Sequence, residues 1–408
     1  MRTIIKLLLL LLVSVPLSGI NLKAGVGYSA LSQKYVLFEE DTLSTSNEGK
    51  LFLEGNVGSQ YGKPGIRANW LLSGGTSSFL GRGWCRWKRF FNEDLSLITE
   101  LSSDFRKPYE KATSVGYFKG SGFAKIKRDW DETSIAAKIA YENKVYSGES
   151  SYSYDYSLSR FRFDVVNPFF GNDELDIGYQ FAFRFAPDTI KANYIRNNFY
   201  ITWDKFWDSD YIRADVEAER RVYNRSDLYG NNWHVNGYLS PSIGISKKLT
   251  LSPRFIIEGY RYDWANETHP NRETIEFAPG IEWNFSSFVK GELAPKYLIN
   301  HADKEVTTDN YQEFSAEIGV DWLQYKKIWF FSRAEIGKRI YKYEPPEIYS
   351  LYSDFMFIEG SMYLTWWLVK GLRFDLMASY TPEWHDIHDD DLTTLYFSTN
   401  LRYEFLHK

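Results

Sequence analysis

The sequence predicts an all-β fold, a transmembrane antiparallel up-and-down β-barrel of about 16–18 strands. Three observations predict it: segments that alternate apolar with polar residues, connectors that alternate short with long, and tryptophans gathered at segment ends. Each of the three is a physical consequence of a closed sheet with one greasy face and one wet face.

The alternation is cleanest from residue 211 onward, where ten segments of about 11–15 residues keep a period of two, the signature of a strand with two unlike faces. Residues 274–285 set Ile275, Phe277, Pro279, Ile281, Trp283 and Phe285 against Thr274, Glu276, Ala278, Gly280, Glu282 and Asn284. The closing segment sets Leu395, Phe397, Leu401, Tyr403 and Phe405 against Tyr396, Ser398, Asn400, Arg402 and Glu404. Earlier in the chain the pattern blurs. Two segments are clear, around 135–141 and 175–185. Seven more are less regular, near 51–58, 64–72, 77–89, 94–104, 113–127, 153–166 and 191–206. The total is nineteen. Single-chain bacterial barrels have even strand numbers, so one early segment is discounted, 18 is preferred, and 25–49 is assigned to an extension or irregular segment preceding a barrel over 50–408.

Brief turns near 208–210, 247–248, 286–287, 326–327 and 370–371 are interleaved with polar loops near 224–232, 265–273, 301–310, 343–352 and 383–391. Membrane barrels keep short turns on one side and long loops on the other. Trp203, Trp207, Trp233, Trp264, Trp283, Trp322, Trp329, Trp366, Trp367 and Trp384 all lie near strand ends. Tryptophan prefers the headgroup level, so these residues are expected to form interfacial girdles. A soluble sandwich or propeller with scattered tryptophans is the competing reading.

Composition and address agree. The chain opens with Arg2 and Lys6, an uncharged run from Leu7 to Val15, then Pro16, Ser18 and Gly19. This is the pattern of a signal peptide over 1–24, cut between about 19 and 24, with no cysteine to take a lipid anchor. Aromatics are 18% of the residues, which suits pleated, half-buried surfaces. Cys85 is the single cysteine, so no internal disulfide framework supports the fold. A net charge of −5 gives no reason to expect nucleic acid.

The signal peptide, dyad repeat, turn-and-loop alternation, tryptophan girdles and a closing strand ending in Tyr403 and Phe405 together resemble the bacterial outer-membrane β-barrel superfamily, porin-like in outline. In place of the usual terminal aromatic the chain continues Leu406, His407, Lys408. The resemblance implies export to the outer membrane of a Gram-negative-type bacterium, with membrane lipid, lipopolysaccharide and the insertion machinery as partners. The sequence offers no separate plug-sized domain before the barrel and no wall-binding domain after it, which argues against active-receptor and wall-tethering types.

Function is sought on the polar face. Over the ten clear segments it carries nine basic residues, Arg213, Arg221, Arg254, Lys290, Lys296, Arg333, Arg339, Arg373 and Arg402. It carries fourteen acidic ones, Asp215, Glu217, Glu219, Glu258, Glu276, Glu282, Glu292, Glu313, Glu317, Asp321, Glu335, Glu359, Asp375 and Glu404. A dry interior would penalise each ion by several kcal/mol, so a water-filled lumen is expected, and the acidic excess suggests a mild cation preference. The expected function is a passive or weakly cation-preferring channel for small hydrophilic solutes. The alternatives are a plugged barrel stiffened by paired charges, an envelope-assembly or lipid-export barrel, and a barrel enzyme.

Two local features are weighed separately. Pro241, Pro253, Pro279 and Pro295 fall on four consecutive segments. They are expected to mark bulges that bend the wall, or else a weakened seam for lateral lipid passage. His385, His388 and Asp389 are weak metal candidates in a loop for which a solvated acidic stretch is the commoner explanation. No nucleophile motif accompanies the six histidines, so no catalytic residue or cofactor is assigned, and Gly81-Arg82-Gly83 is too short for a phosphate loop.

Overall fold

The computed structural model describes residues 20–37, 40–58, 65–109, 115–147, 154–168, 173–187, 193–208, 210–225, 230–267, 269–303, 310–325, 327–343, 353–387 and 391–406. The strands are β1 (Ile20–Leu37), β2 (Glu40–Gly58), β3 (Gly65–Gly75), β4 (Ser78–Phe90), β5 (Leu95–Pro108), β6 (Tyr117–Trp130), β7 (Thr133–Tyr146), β8 (Tyr156–Pro168), β9 (Asp173–Phe185) and β10 (Tyr194–Trp207). They continue with β11 (Asp210–Tyr223), β12 (Asn232–Gly244), β13 (Leu249–Tyr262), β14 (Arg272–Asn284), β15 (Val289–Ala302), β16 (Tyr311–Gln324), β17 (Ile328–Tyr341), β18 (Phe355–Val369), β19 (Leu372–His385) and β20 (Leu392–Leu406). Every strand pairs antiparallel with its sequence neighbours. β1 closes the cylinder on β20 from Asn21↔Leu406 to Tyr35↔Leu392. The fold is therefore a closed all-β up-and-down barrel of twenty strands.

The count corrects the expectation of 16–18. The nineteen segments read from the sequence all exist, and the even number is reached by adding β1, not by discarding a segment. Within the stretch 25–49, expected to be an extension or irregular, residues 25–37 lie in β1 and 40–49 in β2, and the two strands pair from Ile20↔Val57 to Leu37↔Glu40. Residues 1–19 of the expected signal peptide lie outside the described residues, and Ile20 onward is strand.

From β4 on, connectors from even to odd strands are short: 91–94, 131–132, 169–172, 208–209, 245–248, 285–288, 325–327 and 370–371. From β5 on, those from odd to even strands are longer: 109–116, 147–155, 186–193, 224–231, 263–271, 303–310, 342–354 and 386–391. The barrel so acquires a short-turn end, where β1 begins and β20 finishes, and a long-loop end. Gly371 shows what a two-residue turn demands. Its φ of 84° lies in the left-handed region, and a Cβ there would meet the Glu404 carbonyl oxygen at 2.9 Å. The first three connectors break the asymmetry: 38–39 and 76–77, at the long-loop end, have two residues each, while 59–64, at the short-turn end, has six.

The four prolines do not sit at bulges. Register runs unchanged past them, and they fall in one lateral row. Pro253 pairs directly with Pro279, while β12–β13 and β14–β15 lack ladder pairs at the Pro241/Pro253 and Pro279/Pro295 levels. Each proline lacks the N–H its ladder position calls for, so bonds drop out without an inserted residue. Among the described residues the register shift of this sheet lies elsewhere, between Trp367 and Val369.

Candidate functional site: the charged face of the barrel

Antiparallel register carries each side chain's face from strand to strand, so one face can be followed around the whole barrel. On it fall Arg213, Asp215, Glu217 and Glu219 of β11, Arg254 and Glu258 of β13, Glu276 and Glu282 of β14, and Lys290, Glu292 and Lys296 of β15. Glu313, Glu317 and Asp321 of β16, Arg333 and Glu335 of β17, Arg373 and Asp375 of β19, and Arg402 and Glu404 of β20 continue it. Arg272 and Glu383 share the face and leave its acidic excess over β11–β20 unchanged.

The two faces differ in crowding. Glu219, Glu313 and Asp375 retain 6%, 3% and 4% of their exposure, whereas Leu51, Leu101 and Ile139 on the opposite face retain 66%, 73% and 64%. Side chains converge on the concave side of a curved sheet and spread on the convex side, so the crowding is the geometric mark of the concave side.

Strands β4–β9 reverse the balance. Their share of the face carries twelve basic residues, Arg82, Arg86, Lys88, Arg106, Lys119, Lys125, Lys127, Lys138, Lys144, Arg160, Arg162 and Arg184. Against them stand seven acidic ones, Glu100, Asp104, Asp129, Glu142, Asp164, Glu174 and Asp176. Taken round all twenty strands, the two signs nearly cancel.

Most of these charges are paired. Glu313 accepts from Arg339 at 2.7 Å and Lys296 at 3.1 Å, and Lys296 also contacts Glu335. Arg254 bridges Glu276 and Glu317 at 2.9 and 3.2 Å. Asp375 joins Arg373 and Arg402 at 3.1 and 3.0 Å, and Arg333 holds Asp321 at 2.6 Å. Wall residues of one strand thus lock onto side chains one to three strands away.

At the long-loop end the same face carries a ring that the sequence reading missed. Lys144 lies over the rings of Tyr117 and Tyr146 at 4.4 and 4.6 Å. Arg184 lies over Tyr154, Tyr156 and Tyr194 at 4.9, 4.4 and 5.8 Å, Arg221 over Tyr194 at 5.3 Å, and Arg339 over Tyr311 at 4.4 Å. A cation over an aromatic face is attracted by the ring quadrupole. The available signal was a tyrosine at the loop-side end of many strands, but it reads as a lipid girdle until register fixes the face. A recess on the face, about 290 Å³, is lined by Arg162, Gln180, Asn198, Tyr200, Asp215, Glu217 and Asn236 among others.

The tryptophans divide. Trp203, Trp207, Trp283, Trp322 and Trp366 lie on the apolar face near the short turns, joined there by Trp87 and Trp130, while Trp233 and Trp384 lie on it at the other end. Trp264 follows β13 in a loop. Trp329 and Trp367 depart from the expectation. Register puts both on the charged face, where their rings meet edge-on at 4.9 Å.

The metal reading gains nothing. His388 and Asp389 lie outside the described residues. The His385 ring is stacked on Phe355 at 4.6 Å, with Nδ1 3.1 Å from Ser353 Oγ and Nε2 3.5 Å from Glu383. No group of potential ligands suited to a metal occurs among the described residues.

No protein-family model matches the chain, and no curated protein matches it. Solved structures do. The alcaligin outer-membrane receptor FauA of Bordetella pertussis superposes with a TM-score of 0.55 at 10% identity, over 96% of this chain and 77% of that one. The ferric enterobactin receptor PfeA of Pseudomonas aeruginosa gives 0.55 at 9% identity, over 94% and 80%. The copper transporter OprC gives 0.60 at 9% identity, over 96% and 80%. At such identities the likeness establishes a shared fold, a large closed antiparallel β-barrel.

Proposed function

We propose that this chain is an outer-membrane barrel that passes small hydrophilic solutes, with its charged face lining a water-filled lumen and its apolar face against lipid and lipopolysaccharide. One observation carries the reading: one face of the closed sheet is rich in ionic side chains across most of its strands, and it is the crowded face. Strands about 4.8 Å apart and tilted about 40° wrap twenty-fold into a cylinder of about 40 Å diameter. Ionic walls of that spacing have no dry way to meet each other, and water is the medium that spares each ion its desolvation cost. Barrels of about 16–18 strands already leave room for an aqueous channel.

A belt of seven tryptophans on the apolar face near the short turns, with Trp233 and Trp384 toward the other end, supports the membrane placement, since half-solvated rings prefer the headgroup level. Export through a signal peptide and insertion by the outer-membrane machinery complete the proposed route. The balance of wall charge revises the selectivity expected from β11–β20 alone: preference between cations and anions is local to stretches of wall, with little left over for the pore as a whole.

A second reading, a receptor that captures a small chelate, is favoured by the ring of cations and tyrosines at the long-loop end and by the receptor and transporter functions named for the structural neighbours. Planar-bilayer recording separates the two. The channel reading expects stable conductance steps with a reversal potential near zero in a potassium chloride gradient. Purified, heat-modifiable protein that gives no steps overturns the channel and leaves the receptor.

A further inference from the structure

We propose that the recess formed by Asn198, Glu217 and Asn236 binds the primary ammonium group of a small organic cation. The inference rests on the charged face being bathed by lumen water, but not on the barrel conducting. Strand β11 places three carboxylates in succession on that face, Asp215, Glu217 and Glu219, flanked by Arg213 and Arg221. The outer two are neutralised. Arg213 donates to Asp215 at 2.7 Å, and Glu219 accepts from Arg221 at 2.5 Å with Arg196 at 3.4 Å. Glu217 in the middle has no basic side chain within ion-pair distance among the described residues, and it accepts from the Asn198 amide nitrogen at 2.6 Å.

That last bond fixes the amide. With its nitrogen committed to Glu217, Asn198 must present Oδ1 as an acceptor, and this oxygen is buried with no partner. On the other side of Glu217, Asn236 also carries a buried, unpartnered Oδ1. Three side chains able to accept therefore stand together at the wall of the recess of about 290 Å³: Glu217 lies laterally opposite Asn236, and Asn198, whose lateral partner is Glu219, reaches Glu217 across the diagonal. Arg162, at the far end of that recess, is already held by Asp164 and Tyr200, so it offers no free positive charge to an anion. A buried acceptor without a donor is costly, and an ammonium supplies three N–H donors, no acceptor and the missing charge.

The test is calorimetric titration of the detergent-solubilised barrel with 1,4-diaminobutane and with its permethylated counterpart, which keeps both charges and has no N–H donor. Binding is read at equilibrium, so a barrel that fails to conduct can still bind, and the two readings fail separately. Expected are saturable binding of the diamine, at least tenfold weaker binding of the permethylated compound, and at least tenfold loss in Glu217→Gln with a smaller loss in Asn236→Ala. Glu359→Gln is the matched control. It removes a carboxylate that likewise has no ion pair among the described residues but does not line the recess, and it should leave the affinity within twofold. All three variants must show the parent's heat-modifiable gel mobility. Equal losses in Glu217→Gln and Glu359→Gln, equal binding of the permethylated compound, or no binding by the parent would overturn the proposal.

Discussion

Across β13–β17 opposite charges interlock, whereas in the middle of β6–β8 Lys125, Lys138 and Arg162 stand side by side, of which Arg162 alone is paired, with Asp164. In the first region Lys296, Glu313, Glu335 and Arg339 join in one network, and Arg254 spans Glu276 and Glu317. In the second, Lys125 pairs laterally with Lys138 and Lys138 with Arg162, and no carboxylate lies within ion-pair distance of either lysine among the described residues. Strands β7 and β17 are ten apart in a ring of twenty, so the two regions stand on opposite walls. Laterally paired side chains start about 5 Å apart at Cβ. At that separation like charges repel by about 0.8 kcal/mol in water but about 3 kcal/mol at an effective dielectric of 20. A lysine row of this kind is tolerable in a hydrated wall and expensive in a dry one, so it speaks for water on this face independently of any count of charges.

The comparison is broken most directly at Glu313. Glu313→Gln leaves Arg339 and Lys296 without their shared carboxylate in a crowded place. Losing one partner of a buried pair costs about 3 kcal/mol or more. The expected result is a clear fall in the urea midpoint for unfolding from lipid vesicles. A loss below about 1 kcal/mol, the level of exposed pairs, would mean that this network is as hydrated as the lysine row. Lys138→Gln sharpens the other side. Removing the middle charge should leave stability unchanged or raise it by less than about 1 kcal/mol if the wall is wet, and by about 2–3 kcal/mol if it is dry. A substantial loss would mean that Lys138 has a stabilising role beyond its contact with the Phe123 ring at 4.1 Å.

The same contrast explains how much of this molecule could be read in advance. Faces were legible wherever inward positions are ionic and outward ones greasy, as in β14 and β16. They blurred in β4, whose charged face also takes Leu80, Trp84 and Phe90, and in β8, where it takes Leu158 and Val166. Strand β1 escaped notice because its inward positions are mostly small or uncharged, Gly25, Gly27, Ser29 and Leu31, and no Gly, Pro or Asn marks a turn between Val36 and Asp41. Even-number parity then pointed the wrong way, toward removing a strand. The individual lumen candidates followed from period two alone. The cation and tyrosine ring, the proline row and the recess at Glu217 did not, because each is assembled across strands and depends on register, which a single strand's pattern leaves open.

The smallest effect carries the comparison to an ion pair at the long-loop rim. Arg220 of β11 grips Asp263, just beyond β13, through two bonds of 2.7 and 2.5 Å. The guanidinium holds the Asp263 carboxyl below the usual carboxylate range. A carboxyl whose folded pKa is depressed contributes stability that is present above its unfolded value, near 3.9, and is lost as pH falls through the folded value. Arg220→Gln should therefore lower the unfolding midpoint slightly at pH 7, and parent and variant should converge as the pH is taken below 4. Exposed pairs are also screened by salt, with a Debye length of about 3 Å at 1 M, so 1 M sodium chloride at pH 7 should narrow the same gap. A gap that survives both acid and salt would place Arg220's contribution in its packing over Trp233, 5.4 Å away, and not in its charge.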